Sequence, residues 1–381
     1  MRGYTFLFFP DTVKKSFTAG SCDKEQKLKD RSALLKDKHK KIAAIVILIV
    51  ITVVLGFVCL FVGSSNMSLS ECIDALLGNG SSAQIRIIRS IRIPRVLAAI
   101  IAGAGLSISG LIMQTNLNNP MASPSTLGVS NAAVFGANLS IIAFAGGFLS
   151  TGNNLKNYTT GFNPYAASLM AFAFSTLSII MILGLCRLRS FRPGVVVLAG
   201  IAIGSLWTAA TTILQFYATD VGLSAAVIWT FGDLGRATYK TDIIMASVIV
   251  VGIIYFMVMS WRFNALLSGE PAAKSLGVNV NRLKFISMLL ASLITAVCVS
   301  YLGMIGFVGI ICPHVVKKLL GQDHRFTIPA SVFAGSILLL LADTVSRSIG
   351  NGSALPVGAI TSLLGAPFFL IIILFRKGDK E

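Results

Sequence analysis

From Ile42 to its end the sequence is a succession of apolar runs, each about 20 residues long. A run of that length, wound at 1.5 Å per residue, crosses the ~30 Å hydrocarbon core of a bilayer. In lipid each backbone group must find its partner inside the segment, so runs of this kind fold as helices. Ten can be placed, at about 42–63, 95–115, 127–147, 164–186, 195–217, 243–261, 284–302, 305–320, 327–348 and 357–375. The eighth is the shortest and is interrupted by Pro313, as in a half-span or a tilted helix buried among its neighbours. Only 12% of the 381 residues are charged, about half the share usual in soluble domains. The expectation is an all-α polytopic membrane protein in the cytoplasmic membrane, with one ten-helix domain over 41–381 and no soluble domain attached.

Net charge is +17, yet the basic residues flank the apolar runs. That is the positive-inside pattern, and it excludes nucleic acid as the reason for the charge. With the N-terminus inside and ten alternating spans, 24 of the 32 Lys and Arg residues fall on the inner side. Both termini are therefore expected in the cytoplasm. Residues 1–40 carry ten Lys/Arg and five Asp/Glu without sustained periodicity, as in a basic cytoplasmic tail that is disordered or lies on a surface. The first apolar patch, Tyr4 to Pro10, is too short for a signal peptide and has no small-residue cleavage site.

Four arginines break the charge rule. Arg86, Arg89, Arg92 and Arg95 fall outside, just before the second span. They read either as side chains snorkelling to headgroups or as a docking surface for an acidic partner. The second span is filled with Ala98, Ala99, Ala102, Gly103, Ala104, Gly105, Ser107, Ser109 and Gly110. Small residues let helix backbones approach closely in lipid, so this span should be buried, while the Ile- and Val-rich first span should face lipid.

Chemistry-bearing motifs are sparse. There is no Gly-Lys-Ser/Thr sequence and so no P-loop; any ATPase must be another chain. HExxH and GxSxG are absent too. His39, His314 and His324 are too far apart in sequence to suggest a metal site by spacing, and the six cysteines have no zinc spacing and read as small buried hydrophobes. His314, beside the Pro313 break, reads as structural, because freed backbone groups there need partners. Spans are nearly free of charge, which argues against an ion-coupled carrier and for coupling outside the bilayer. The exception is Asp343, with Arg347 four residues on and able to pair along one helix face. Between the sixth and seventh spans, Pro271 suits a first helical turn and Gly277 a position just past a helix end. This predicts a short cytoplasmic helix of the kind a docking element needs and a linker does not.

Several segments together resemble the iron-siderophore, haem and vitamin B12 permeases of ABC importers. They are Arg92-Ile-Pro-Arg-Val-Leu-Ala-Ala, running on to Gly110; Gln114 with Asn119-Pro120; Leu127-Gly-Val-Ser130; Leu198 to Gly204; and Ser275-Leu-Gly-Val-Asn279. Then follow Gly306-Phe-Val-Gly309 with Pro313-His314, Asp323-His324-Arg325, Leu341 to Arg347, Leu355-Pro-Val-Gly358 and Gly365-Ala-Pro367. The resemblance runs from about 42 to 376. It implies the type II ABC importer permease fold, a homodimer or a heterodimer with a related permease, and no catalysis by this chain. It also implies two cytoplasmic ABC ATPase subunits, which hold the ATP and Mg, and an extracellular or periplasmic substrate-binding protein. By the same resemblance, Arg92, Arg95 and Arg347 dock that binding protein, and Glu270, Pro271, Ala272, Ala273, Lys274, Ser275, Leu276 and Gly277 couple to the ATPase. Phe191, Arg192, Pro193 and Gly194 lie near a cytoplasmic gate, and the fifth and tenth spans line the pathway. The implied cargo is an iron chelate, in the order ferric siderophore, haem, cobalamin, held without metal ligands from the chain.

Overall fold

The computed structural model describes residues 37–62, 67–145, 163–188, 193–349 and 355–374. The expected tail lies almost wholly outside the described residues. The chain divides into two units, Met1–Ile47 and Leu48–Glu381, and the contacts below are within the second.

The described residues form helices joined by short turns. In chain order these are α1 (Asp37–Phe61), α2 (Leu69–Leu77), α3 (Ser82–Leu117), α4 (Val129–Phe144) and α5 (Pro164–Leu188). Next come α6 (Pro193–Phe216), α7 (Asp220–Thr230), α8 (Tyr239–Val258), α9 (Ser260–Leu267) and α10 (Glu270–Ser275). The last four are α11 (Val280–Leu302), α12 (Val308–Leu320), α13 (His324–Ile349) and α14 (Val357–Leu374). Seven of them, α1, α3, α5, α6, α8, α11 and α13, are long and apolar enough to cross a membrane. The other three expected positions hold α4, the 13-residue α12 and α14. Helices α2, α7 and α9 were not foreseen as separate elements.

Helix α3 is the axis of the packing. Its most apolar window is 83% buried, whereas that of α1 is 17% buried, which bears out the contrast between small-residue and β-branched spans. Two close approaches explain the small residues. A Cβ on Gly103 would lie 2.4 Å from the carbonyl oxygen of Gly335 on α13, and one on Gly335 would lie 2.1 Å from that of Gly103. At Gly110 a Cβ would fall 1.7 Å from the carbonyl oxygen of Gly309 on α12. Backbone against backbone maximises dispersion contact where the hydrophobic effect supplies nothing. The Ser336 hydroxyl adds a hydrogen bond to the Ile100 carbonyl at 2.8 Å.

The second span begins earlier than expected. Helix α3 starts at Ser82 and passes through a π-helical turn, Ile87–Arg92, in which the Ile93 N–H bonds to the Ile88 carbonyl. Pro94 follows at once. Proline removes a donor and crowds the preceding turn, and a wider turn absorbs both without ending the helix.

Pro313 stands inside α12 and leaves the carbonyl of Gly309, four residues back, without its helical partner. The side chain of Gln114 on α3 takes that place, its Nε2 donating to Gly309 O at 3.4 Å and Ile310 O at 3.3 Å. Lys317 donates to the Gln114 Oε1 at 3.1 Å. Here the reading of His314 is corrected in detail: the break is served by Gln114, and His314 is only partly buried. The five described cysteines are buried and free, as small apolar fillers should be.

Candidate functional site

Two clusters of polar side chains stand at opposite ends of α3. At its N-terminal half, the ends of α1 and α13 converge. The last carbonyls of a helix lack intrahelical donors and carry the negative end of its dipole. Arg92 donates from Nη1 to Leu60 O at 2.7 Å and Phe61 O at 3.1 Å. Arg347 donates from Nη1 to Val62 O at 2.6 Å and from Nη2 to Cys59 O at 3.1 Å. Two guanidinium groups thus cap α1.

Asp343 joins them. Its Oδ1 accepts from Arg95 Nε at 2.8 Å, and its Oδ2 lies 2.9 Å from Arg347 Nε. The predicted pairing along α13 is present, with Arg95 from α3 as a second partner that the sequence spacing did not show. Asp233 adds a longer contact, 3.8 Å from Arg95 Nη2. Asp343 is fully buried, and Arg92, Arg95 and Arg347 are 5%, 8% and 7% exposed. The picture of one open arginine cluster is therefore corrected: Arg86 and Arg89 are exposed, and the other three are enclosed by groups of this chain. Sequence reasoning also passed over Asp242, in the first turn of α8. It is 3% exposed, with no hydrogen-bond partner for either carboxylate oxygen among the described residues.

At the other end stands the short helix expected between the sixth and seventh spans. Helix α10 has Pro271 in its first turn, and Gly277 follows its end with φ +78°. Val278 N–H bonds to Ala273 O at 3.0 Å and Gly277 N–H to Lys274 O at 3.0 Å. This double closure satisfies the last carbonyls and needs a left-handed residue, which glycine supplies without strain. Ala273 packs with Leu266 and Val280, and Glu270 pairs with the buried Lys284. One face of α10 is thereby pinned. Pro271, Lys274, Ser275, Leu276 and Gly277 are exposed, Leu276 at 71%.

Phe191 and Arg192 lie outside the described residues. Pro193 and Gly194 open α6. Beside α6 is an open pocket of about 480 Å³ lined by Ser125, Thr126, Asn131, Ser205, Thr208 and Thr212 together with Ile201, Ala209 and the backbone of Gly128, Gly200 and Gly204. Its lining carries hydroxyls and an amide but no charge. Asn131 Nδ2 donates to Gly204 O at 3.2 Å and Thr208 Oγ1 at 3.1 Å, tying α4 to α6.

Seven helices long and apolar enough to cross a membrane, packed around glycine contacts, define a helical multi-pass membrane protein. Residues 50–375 match the FecCD transport family, and the chain belongs to that family. A candidate ABC transporter permease of Methanocaldococcus jannaschii is 46% identical over 336 residues, covering 88% of this chain and 95% of the relative. The hemin transport system permease of Yersinia pestis is 35% identical, with 85% and 94% covered. Among solved structures, a candidate metal-chelate type ABC transporter in an inward-facing conformation has a TM-score of 0.73 at 26% identity, with 88% and 99% covered. The chain is accordingly a multi-pass membrane permease of the FecCD transport family.

Proposed function

We propose that this subunit forms, with a second permease of the same family, the pathway through which an iron chelate is imported across the cytoplasmic membrane. Ferric siderophore is the first candidate, with haem and cobalamin as alternatives by the same mechanism. The observation that carries the reading is the match along 50–375 together with the fold of a metal-chelate transporter. The uncharged, hydroxyl-lined cavity on the fifth span supports it. A path that must release its cargo should offer weak contacts and no ion pair, leaving the driving force to a conformational change.

In this reading the ten apolar segments all lie in the membrane and both termini face the cytoplasm. The exposed face of α10 contacts one of two ATPase subunits, which hold ATP and Mg. The arginine end receives the binding protein. Arg86 and Arg89 are exposed to an acidic partner, Arg89 with one bond to the Leu76 carbonyl, whereas the enclosed Arg92, Arg95 and Arg347 engage it by exchanging a bond within this chain for one to the partner's carboxylates. Pro193 and Gly194, with Phe191 and Arg192 before them, belong to the inner gate.

The test is uptake of labelled ferric siderophores, haem and cobalamin by cells with this chain deleted and restored, with and without ATP depletion. Loss of one cargo on deletion, recovered with the chain and dependent on ATP, is the expected result. Uptake of every cargo without the chain removes the substrate class, and uptake that persists without ATP removes the importer.

A further inference from the structure

His324, which the sequence offered only as a motif residue without metal-site spacing, is the most enclosed polar ring among the described residues. His324 opens α13 and is fully buried. Its backbone N–H and its Nδ1 both meet Asn264 Oδ1, at 2.8 Å and 2.9 Å. Asn264 donates in turn from Nδ2 to Asp323 Oδ1 at 2.7 Å. With its Nδ2 on a carboxylate, the amide oxygen can only accept, so His324 Nδ1 carries the proton. Its Nε2 is then left to accept, and the Thr115 hydroxyl lies 2.9 Å from it and 3.0 Å from the Leu111 carbonyl, its single proton shared between the two. The ring of Phe263, beside Asn264 in sequence, packs on the imidazole with centroids 5.6 Å apart.

Three elements meet in this one side chain. Asn264 and Phe263 belong to α9, which runs into α10 within two residues. Thr115 is in the last turn of α3, and His324 is the first residue of α13. Helices α3 and α13 are then joined along their length by the Gly103–Gly335 approach, and at the far end by Arg95 and Asp343. Close-packed elements of this kind shift as units and do not deform continuously.

We propose that Thr115, Asn264 and His324 are positioning residues that couple movement of the ATPase-facing segment α9–α10 to the α3–α13 pair, and through it to the arginine end. The inference rests on the importer reading. Displacement of α10 carries α9 with it; the amide oxygen of Asn264, holding two donors of residue 324, pulls on the start of α13; and Thr115 keeps α3 in step.

The test uses the assembled transporter, purified with its ATPase subunits, with Cys22 replaced by Ser. An environment-sensitive fluorophore is placed at Leu276→Cys beside α10 and, separately, at Ile349→Cys at the far end of α13. Both positions are exposed, and the described native cysteines are buried. The response to Mg-ATP with vanadate is then read in Thr115→Val, which keeps the shape and removes the hydroxyl, in Thr115→Ser, which keeps the hydroxyl, and in Asn264→Ala. The expected result is a response at 276 that stays at the parent level throughout. The response at 349 should fall about fivefold in Thr115→Val and Asn264→Ala, the scale of one buried hydrogen bond, and persist in Thr115→Ser. A merely structural role moves the thermal midpoint and leaves the ratio of the two responses unchanged. An unchanged ratio in Thr115→Val overturns the inference even where Asn264→Ala fails to assemble. Loss of both responses in assembled Thr115→Val overturns it as well. A complex labelled at 276 and unsubstituted at 115 and 264 that gives no response there overturns the importer reading itself.

Discussion

The two ends of α3 solve the same problem with different chemistry. Near Arg95 the helix meets charged partners: a buried carboxylate on α13 shared by two guanidinium groups, and the last carbonyls of α1. Near Thr115 the contacts to α9 and α13 run through a hydroxyl, an imidazole and an amide, with Asp323 accepting from the amide, and Gln114, itself accepting from Lys317, serves a carbonyl freed by proline; these are hydrogen bonds and not ion pairs. Ionic contacts taken out of water cost much desolvation and are costly to break singly, while neutral hydrogen bonds of about 1 kcal/mol can be remade cheaply. The arginine end is suited to hold until another charge replaces one of its own. The α10 end is suited to be shifted in each cycle. Between them the glycine contacts keep one distance.

The largest effect should come from breaking that shared middle. Gly335→Leu places atoms where the backbone of Gly103 already stands, and neither helix can yield at one end without straining the other. Overpacking costs about 1–3 kcal/mol where side chains can shift; here the obstacle is the backbone of Gly103 and the Cβ of Ser107, so the cost exceeds that of orphaning a buried charge. The expected outcome is loss of folded protein in detergent, measured by monodispersity and thermal unfolding. Survival of Gly335→Leu at parental stability would show that the two ends are not held at a set spacing.

Next in size is Asp343→Ala, which leaves Arg95 and Arg347 enclosed beside a missing carboxylate. Orphaning a buried charge costs about 3–5 kcal/mol. The double variant Arg95→Met/Asp343→Leu removes one charge of each sign and leaves Arg347 on the carbonyls of α1, so it should be the more stable of the two. The same double variant sharpens the docking proposal. If Arg95 engages the binding protein, association measured by surface plasmon resonance weakens although the subunit folds; unchanged affinity takes Arg95 out of the docking surface.

The smallest effect belongs to the Gln114 end. Gln114→Leu strands the carbonyl that Pro313 frees, at about 1–3 kcal/mol. Adding Pro313→Ala returns an N–H to α12 and should recover most of the loss, seen as a rise in thermal midpoint over the single variant. Failure of Pro313→Ala to recover any of it would mean that Gln114 acts mainly through Lys317, which donates to its Oε1.

Much was legible in the chain because the bilayer imposes a one-dimensional rule: length and apolarity select spans, and glycine and alanine spacing marks the interior helix. The same local logic placed α10, since a proline at one end and a glycine at the other are sufficient signals for a capped turn. The pairing of Asp343 with Arg347 was likewise within reach, being four residues apart on one helix. What local logic could not reach was partnership between helices. Arg95 lies 248 residues from Asp343, and Thr115 lies 209 from His324. No periodicity connects such positions, and only packing brings them to bonding distance. The enclosure of three arginines that the charge rule placed outside is of the same origin, because exposure belongs to the assembled bundle and not to any segment. The sequence by itself determined that the chain is helical, membrane-spanning and small-residue-packed around its second span, through properties each segment carries alone. The tertiary structure decided which charges are sheltered, which histidine is enclosed and which distant side chains bond to one another, because those depend on distances across the fold.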